Sequence, residues 1–330
     1  MKSNRFSGMV ATCAVAVLGA VTTLGSPAVR AQDYPVKPIH IIVPLPPGGS
    51  NDVLARVLGQ KMSEAFGQPV IVENRPGAAG NIATDYVAKS APDGYTIAIA
   101  PNQTVAVNPV LYPKLPFDVL KDLEGVTLLG RVPMVLVVSS KITANSVAEL
   151  IAQAKAGPDK LSYASAGSGS PQHMAAEVFK SMTGTRLTQI PYKGSAPALV
   201  DVLGGNVDVM FCPINSALPH IRSGKLRALG TTGTKRLALL PGVPTIAETV
   251  PNYESDIWIG MVAPAKTPPA IINKLNAELR RSLAAPDVQS KLAEQGIYAE
   301  SSEPAEFSRL IATDQKRWAG VIKAASIVPE

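Results

Sequence analysis

From Ile39 onward the chain switches repeatedly between short apolar runs and helical periods. Ile39, Ile41, Ile42 and Val43 form a run of the kind a buried strand shows. Pro44, Pro46, Pro47, Gly48 and Gly49 break it, and Val53, Leu54, Val57, Leu58, Met62, Ala65 and Phe66 then recur at helical spacing until Gly67. Ser50 or Asn51 can cap this helix, and Asp52 falls in its first turn, where a carboxylate suits the positive end of the dipole. Strand, glycine-rich loop and helix start together offer free backbone N–H groups to an anion. The same pattern also describes an ordinary turn of any α/β protein.

The alternation continues. Residues 68–74 read as a strand, 75–81 as a small-residue loop containing Gly77, Ala78, Ala79 and Gly80, 82–90 as a helix and 95–100 as a third strand, followed by the polar Asn102. Strands alternating with helices predict parallel pairing with right-handed crossovers. Three successive strand-end loops carry small or polar residues, which is where open α/β sheets hold ligands. Residues 107–122 read as proline-rich and irregular. Residues 125–139 are long for one strand and contain Pro133, which argues for a strand that leaves one lobe, bends and enters another.

Beyond the bend, residues 146–156 form a helix with Ser146 and Glu149 as a capping box. A strand at 161–164 runs into Ser165, Ala166, Gly167, Ser168, Gly169 and Ser170, a second loop of the opening kind, with Pro171 at the first position of the next helix. Strands are expected at 186–192, 207–211, 226–231 and 254–262, with helices at 196–204, 268–283 and 304–325. Two crossings between lobes describe a clamp with a cleft. The expected boundaries are 32–131 plus 256–330 for one lobe and 132–255 for the other.

The first 31 residues change the picture of where this happens. Lys2 and Arg5 precede an apolar stretch of about 16 residues, and Val29-Arg30-Ala31 suits cleavage after Ala31. The stretch is short of the roughly 20 residues a membrane span needs. A cleaved export leader and a periplasmic destination are therefore expected, against a retained anchor or a lipid on Cys13. Removing the leader, with three basic residues and no acid, lowers the formal charge from +6 to +3. Basic residues are scattered, so no nucleic-acid partner is expected. Cys212 remains as a lone cysteine, either a small buried apolar residue or a pocket thiol.

Catalytic chemistry is sparse. The Gly167–Ser170 stretch lacks nucleophile-elbow spacing, no phosphate-binding or dinucleotide signature occurs, and no Cys/His/carboxylate cluster has metal spacing. No cofactor or metal is expected. His173 opens a helix behind a Ser/Gly loop, where it either touches a ligand or caps and packs. Lys193, beside Gly194, either attracts an anion or is simply solvated.

Many ordered blocks then resemble one family along the whole mature length. They include PLPPGGSND (44–52), ENRPGAAGN (73–81), SYASAGSGSPQHM (162–174), PYKG (191–194), VDVMF (207–211) and YESDIWIGMVAP (253–264). The chain resembles the extracytoplasmic solute receptors of tripartite tricarboxylate transporters, the Bug or TctC family. The resemblance implies an α/β, two-lobed periplasmic-binding-protein fold of the Venus-flytrap, type II-like kind, with a mixed, mainly parallel sheet in each lobe. It implies a monomeric receptor that captures a small carboxylate and delivers it to integral membrane transporter subunits. The first-lobe grip carried over is Leu45, Gly48, Gly49, Ser50, Asn51 and Asp52 with Gly77–Gly80, and Asn102 follows a strand in the same way. The second-lobe grip is Ser165–Ser170, with His173, Lys193, Gly194 and Asp208 nearby. Leu45 departs from an often aromatic position, which puts ring stacking there in question but not the backbone grip. An exported hydrolase, or a sensory receptor on the same scaffold, is the alternative. Neither grip loop contains an arginine, and Arg56 and Arg75 are expected to point elsewhere. The anion is thus expected to rest on N–H groups and hydroxyls at helix starts near Ser50 and Ser170.

Overall fold

The computed structural model describes residues 34–329, so the expected leader and its cleavage point near Ala31 lie outside the described residues. The first strand, β1 (Ile39–Val43), leads into helix α1 (Ser50–Phe66). Strand β2 (Val70–Asn74), helix α2 (Asn81–Ala88) and strand β3 (Thr96–Pro101) follow. The stretch expected to be irregular contains a π turn at Gln103–Val107 and the short helices α3 (Asn108–Leu111) and α4 (Val119–Asp122). Strands β4 (Leu123–Val132) and β5 (Met134–Val138) flank Pro133. Next come α5 (Val147–Ala156), β6 (Ser162–Ser165), α6 (Pro171–Thr183), β7 (Thr188–Pro191), α7 (Ser195–Leu203) and β8 (Val209–Pro213). Helix α8 (Ile214–Arg222) was not expected from the sequence, because Pro219 sits inside it. Strand β9 (Arg227–Thr231) and the long β10 (Ile257–Pro264) precede α9 (Pro269–Ala284), α10 (Pro286–Glu294), β11 (Tyr298–Ala299) and α11 (Pro304–Ala324).

These strands make two sheets, ordered β11-β4-β10-β3-β1-β2 and β7-β6-β8-β5-β9. Both are mixed. Parallel pairing is confined to β2-β1-β3 and β7-β6-β8, whereas β10 runs antiparallel to both its neighbours and β5 to both of its own. Four strands of each sheet nonetheless share one direction, as expected of mixed, mainly parallel sheets: β10, which arrives from far along the chain and threads between β3 and β4, and the edge strand β11 oppose the rest of the first, and β5 opposes the rest of the second. Pro133 does separate two strands of different sheets, and the chain returns from β9 to β10.

The caps follow the sequence only partly. Gly49, not Ser50 or Asn51, is the N-cap of α1, and no side chain caps that end. Ser146 caps α5 by accepting from Glu149 N, but the Glu149 carboxylate accepts from Asn145 N, so the box does not close on Ser146. Ser170 caps α6, accepting from His173 N, and Gly184 ends that helix in the left-handed conformation.

On β10, Gly260 lies under the ring of Phe307 of α11, which is fully buried. The Phe307 ring meets Trp258 edge-on at 5.7 Å. The indole N–H groups of Trp258 and Trp318 both donate to Asp314 Oδ2, at 2.8 and 2.9 Å, so one buried carboxylate ties β10 to α11.

The two crossings are themselves tied together. Thr232, fully buried, receives Met134 N at 2.9 Å and donates to Asp256 Oδ1 at 2.6 Å. Burial pushes the Asp256 pKa up to about 6, against the opposing effects of the Thr232 hydrogen bond and of Arg131, with Glu254 and Glu300 adding repulsion. The fold therefore favours the protonated acid, and this contribution is present below the ordinary pKa near 3.8 and lost as pH rises through about 6. Asp256→Asn should accordingly raise the melting temperature at pH 8, by the equivalent of roughly 1–3 kcal/mol, and give no gain at pH 4. Thermal denaturation of both forms at the two pH values checks this; an equal shift at both, or a loss at pH 8, contradicts it.

Candidate functional site

A cleft of about 830 Å³ opens between the two sheets. Its floor includes Val132 at the end of β4 and Ile257 and Ile259 on β10, the two strands that make the crossings. Its walls are the loops at the carboxyl ends of β1, β2, β3, β6, β7 and β8, the position that open α/β sheets use for ligands. Four helix starts border it. Ser50 and Asn51 belong to α1, Ser170, Pro171 and Gln172 to α6, Gly194, Ser195 and Ala196 to α7, and Pro213, Asn215 and Ser216 to α8. Each start leaves backbone N–H groups without an intrahelical acceptor and carries the positive end of a dipole. Among the residues that line the cleft there is no Asp, Glu, Lys, Arg or His.

Of the residues expected at the site, Leu45, Gly49, Ser50, Asn51, Ala79, Asn102, Ala166, Gly167, Ser168, Ser170 and Gly194 line this space. The others stand behind it or away from it. Asp52 turns inward, where Oδ2 accepts from Gly48 N at 3.0 Å and the carboxylate pairs with Arg56. The Arg56 guanidinium holds its pKa below the usual range. Arg56 also donates to Asn74 Oδ1, and Asn74 Nδ2 donates to Leu45 O at 3.1 Å. Gly48 and Asp52 thus brace the first loop from behind. Gly77, Ala78 and Gly80 shape the second loop without lining the cleft. Ala78 and Ala79 both lie in the left-handed region, a strained choice for alanine that Asn108 supports by donating to Ala79 O at 3.0 Å.

The second-lobe loop divides in the same way. Ser165 is fully buried, and its hydroxyl accepts from Gln189 Nε2 at 2.8 Å. Gly169 packs against Leu111 of α3, so closely that a Cβ there would fall 2.4 Å from Leu111 Cδ2. Ser168 Oγ donates to Val328 O at 2.5 Å, beyond α11. His173 is buried; its Nδ1 accepts from Gly169 N at 3.2 Å and its Nε2 faces Glu177 at 3.7 Å. Burial alone would raise the Glu177 pKa, but the nearby His173 and hydrogen bonds from Lys180 and Tyr163 outweigh it and bring the acid to about 2. His173 therefore holds the loop in place rather than facing the cleft. Lys193 is exposed beside the lining Gly194. Asp208 lies at the opposite end of the sheet, where its carboxylate accepts from the backbone and hydroxyl of Ser162 at the start of β6. Pro213, at the cleft end of β8, lies five positions further on, about 16 Å of strand. Cys212 is buried in the core, which pushes its thiol pKa up to about 12.

Sequence reasoning missed Gln103, Tyr112, Gln172, Ser195, Asn215 and Ser216 as lining residues. Asn215 and Ser216 follow β8 just as Asn102 follows β3, so the same strand-end signal applied to them. Arg75, as expected, faces away: it pairs with Glu73 at 2.9 Å and stacks on the Tyr86 ring.

Known proteins share the sequence pattern and the fold of this chain. The sequence profile of the family described as tripartite tricarboxylate transporter family receptor, TctC, matches residues 54–327. Protein BugT of Bordetella pertussis (strain Tohama I) is 43% identical over 313 residues, covering 94% of this chain and 96% of that protein. A solved structure described as R. palustris Rpa4515 with adipate superposes with a TM-score of 0.80 at 37% identity, covering 90% of this chain and all of that one, 100%. MatC (Rpa3494) from Rhodopseudomonas palustris with bound malate gives 0.76 at 31% identity over 88% of this chain and 100% of that one. The profile match and the relatives at full length agree, and the chain belongs to the tripartite tricarboxylate transporter receptor (TctC) family.

Proposed function

We propose that this protein is a periplasmic solute receptor that captures a small carboxylate in the inter-lobe cleft and passes it to integral membrane transporter subunits. One observation carries the reading: four helix starts converge on a cleft that contains no charged side chain. Such a lining favours an anion through N–H groups and dipoles. Relatives with bound adipate and malate support a carboxylate as that anion. Export is supported by the leader read in residues 1–31 and by a similar structure described as periplasmic binding protein BugD. Among the described residues no helix is long and apolar enough to cross a membrane. We place the moving units at 32–131 with 256–330 and at 132–255, with hinges at the crossings near Pro133 and Asp256, and expect a monomer.

The reading is of a binder, not an enzyme. Both ring nitrogens of His173 face partners other than a serine hydroxyl, so this histidine is not placed to activate Ser170 as a nucleophile.

A thermal-shift series over mono-, di- and tricarboxylates and aromatic acids tests it. An acid at 100 times its dissociation constant should stabilise by roughly 2.7 kcal/mol, a rise of roughly 5–10 °C for a chain of this size. The same acid should shrink the radius of gyration in solution scattering as the lobes close. No rise with any acid overturns the reading, whereas a rise without shrinkage removes only the hinge motion.

A further inference from the structure

A second space opens behind the crossings. It measures about 540 Å³ and shares no lining residue with the ligand cleft. The strand orders set the two spaces on opposite sides of β4 and β10 in the first sheet and of β5 in the second. On one side are the loops after β1, β2, β3, β6, β7 and β8, which wall the cleft. On the other are β11, with Tyr298 and the following Glu300, and residues 233–237 after β9. Both halves of the molecule therefore wall the rear space, and Arg131, Pro133 and Asp256 of the crossings line it too. A hinge rotation about the crossings that narrows the cleft widens the space behind it.

Asp256 faces this space with little to balance a charge. Among the described residues, Thr232 is the one donor that meets its carboxyl, at 2.6 Å on Oδ1. Oδ2 lies beside Gly233, where a Cβ would fall 2.8 Å from it. Arg131 attracts Asp256, but it is shared with Glu254 and Glu300, at 3.4 and 2.7 Å, and both of those acids repel it. Arg236 is engaged with Glu248, and Lys235 is exposed. Arg317 of α11 donates to the main chain of Glu254, and the phenols of Tyr253 and Tyr298 stay neutral. On the main-chain side, Asn102, Ser255 and Trp318 do not titrate. Burial is the largest influence on this acid, so water admitted between the walls favours its ionised form. We infer that Asp256 is a proton-operated control on the hinge: its protonated form favours the open cleft, and closure on a carboxylate hydrates it from behind and expels the proton. This rests on the carboxylate and hinge reading above and goes beyond it by making capture and release depend on pH. Binding therefore tightens as pH rises through about 6 and levels off above, and a proton arriving at the crossing promotes release.

Calorimetric titration with the acids of the thermal-shift series, adipate and malate included, decides the matter. It compares pH 5 with pH 7.5, and at pH 6 it uses buffers of different ionisation enthalpy to count protons. The acid's own titration is common to wild type and Asp256→Asn, so the variant is the reference. From pH 5 to pH 7.5 the wild-type affinity should rise about threefold or more beyond that of Asp256→Asn. At pH 6 the wild type alone should release a further fraction of a proton on binding. Glu300→Gln, which removes one repelling charge, should move the rise toward lower pH, and it serves should Asp256→Asn fail to fold. Equal pH profiles and equal proton release in wild type and Asp256→Asn overturn the inference and leave the carboxylate reading standing. A wild-type affinity that falls against the reference overturns it too, as does an unmoved profile in Glu300→Gln. Binding without a smaller radius of gyration removes the hinge and the inference with it. No binding by any acid of the series overturns both readings together.

Discussion

Ser170→Asp should abolish carboxylate binding while leaving the protein folded. Ser170 is 2% exposed, caps α6 and lines the cleft. Aspartate is as good an N-cap as serine, so the helix keeps its cap and its dipole gains a favourable charge. The same carboxylate stands where the ligand's would rest. Two like charges about 4 Å apart repel by roughly 4 kcal/mol at an intermediate dielectric, close to a thousandfold in affinity. By contrast, Arg56→Ala and Arg75→Ala should each weaken binding by less than about tenfold, or 1.4 kcal/mol. Arg56 braces the first loop through Asp52 and Asn74, and Arg75 is engaged with Glu73 and Tyr86. Calorimetry with a bound acid and melting curves of the three variants separate these outcomes. If either arginine variant loses binding outright while Ser170→Asp keeps it, a salt bridge holds the ligand and the neutral-cleft account fails.

Gly260→Ala should destabilise the fold out of proportion to the single methyl group it adds. A Cβ at that position would fall 2.0 Å from Phe307 Cζ and within 2.7 Å of two further ring carbons. The ring cannot retreat freely, because it is fully buried and rests edge-on against Trp258, itself fixed through Asp314. Overpacking a finished core of this kind costs roughly 1–3 kcal/mol, and occasionally more. A smaller partner should relieve it, so Gly260→Ala combined with Phe307→Leu should be more stable than the two separate losses predict, by about 0.5–3 kcal/mol. Urea denaturation of the four proteins measures this coupling. An unchanged midpoint for Gly260→Ala would mean that the ring has room to move.

Much of this architecture was legible because two periods are hard to confuse. The run at residues 39–43, the break at Pro44–Gly49 and the helical spacing after it mark strand, loop and helix without any tertiary information. Pro133 marked the passage between sheets, since a central strand cannot carry it. Helix α8 escaped notice because Pro219 interrupts its pattern, and α3 because Pro109 begins a stretch crowded with further prolines. The insertion of β10 between β3 and β4 was hidden for another reason: it pairs with strands made more than a hundred residues earlier, and no local pattern records a partner. At the site, the chain order places loops correctly but not the direction of each side chain. Asp52 and Ser165 adjoin lining residues and turn away from the cleft, while Asp208 precedes a strand whose far end reaches it.

The threading of β10 also sets an order in time. All five strands of the second sheet lie between residues 134 and 231. The first sheet has its opening strands in place long before, but the strand that joins β3 to β4 begins only at Ile257. During synthesis, the nascent chain therefore carries two open edges, with rows of unpaired amide groups, until its last quarter emerges. The half of the molecule that is made first is the half completed last, and it is the half that needs protection from neighbouring chains on the way to the folded state.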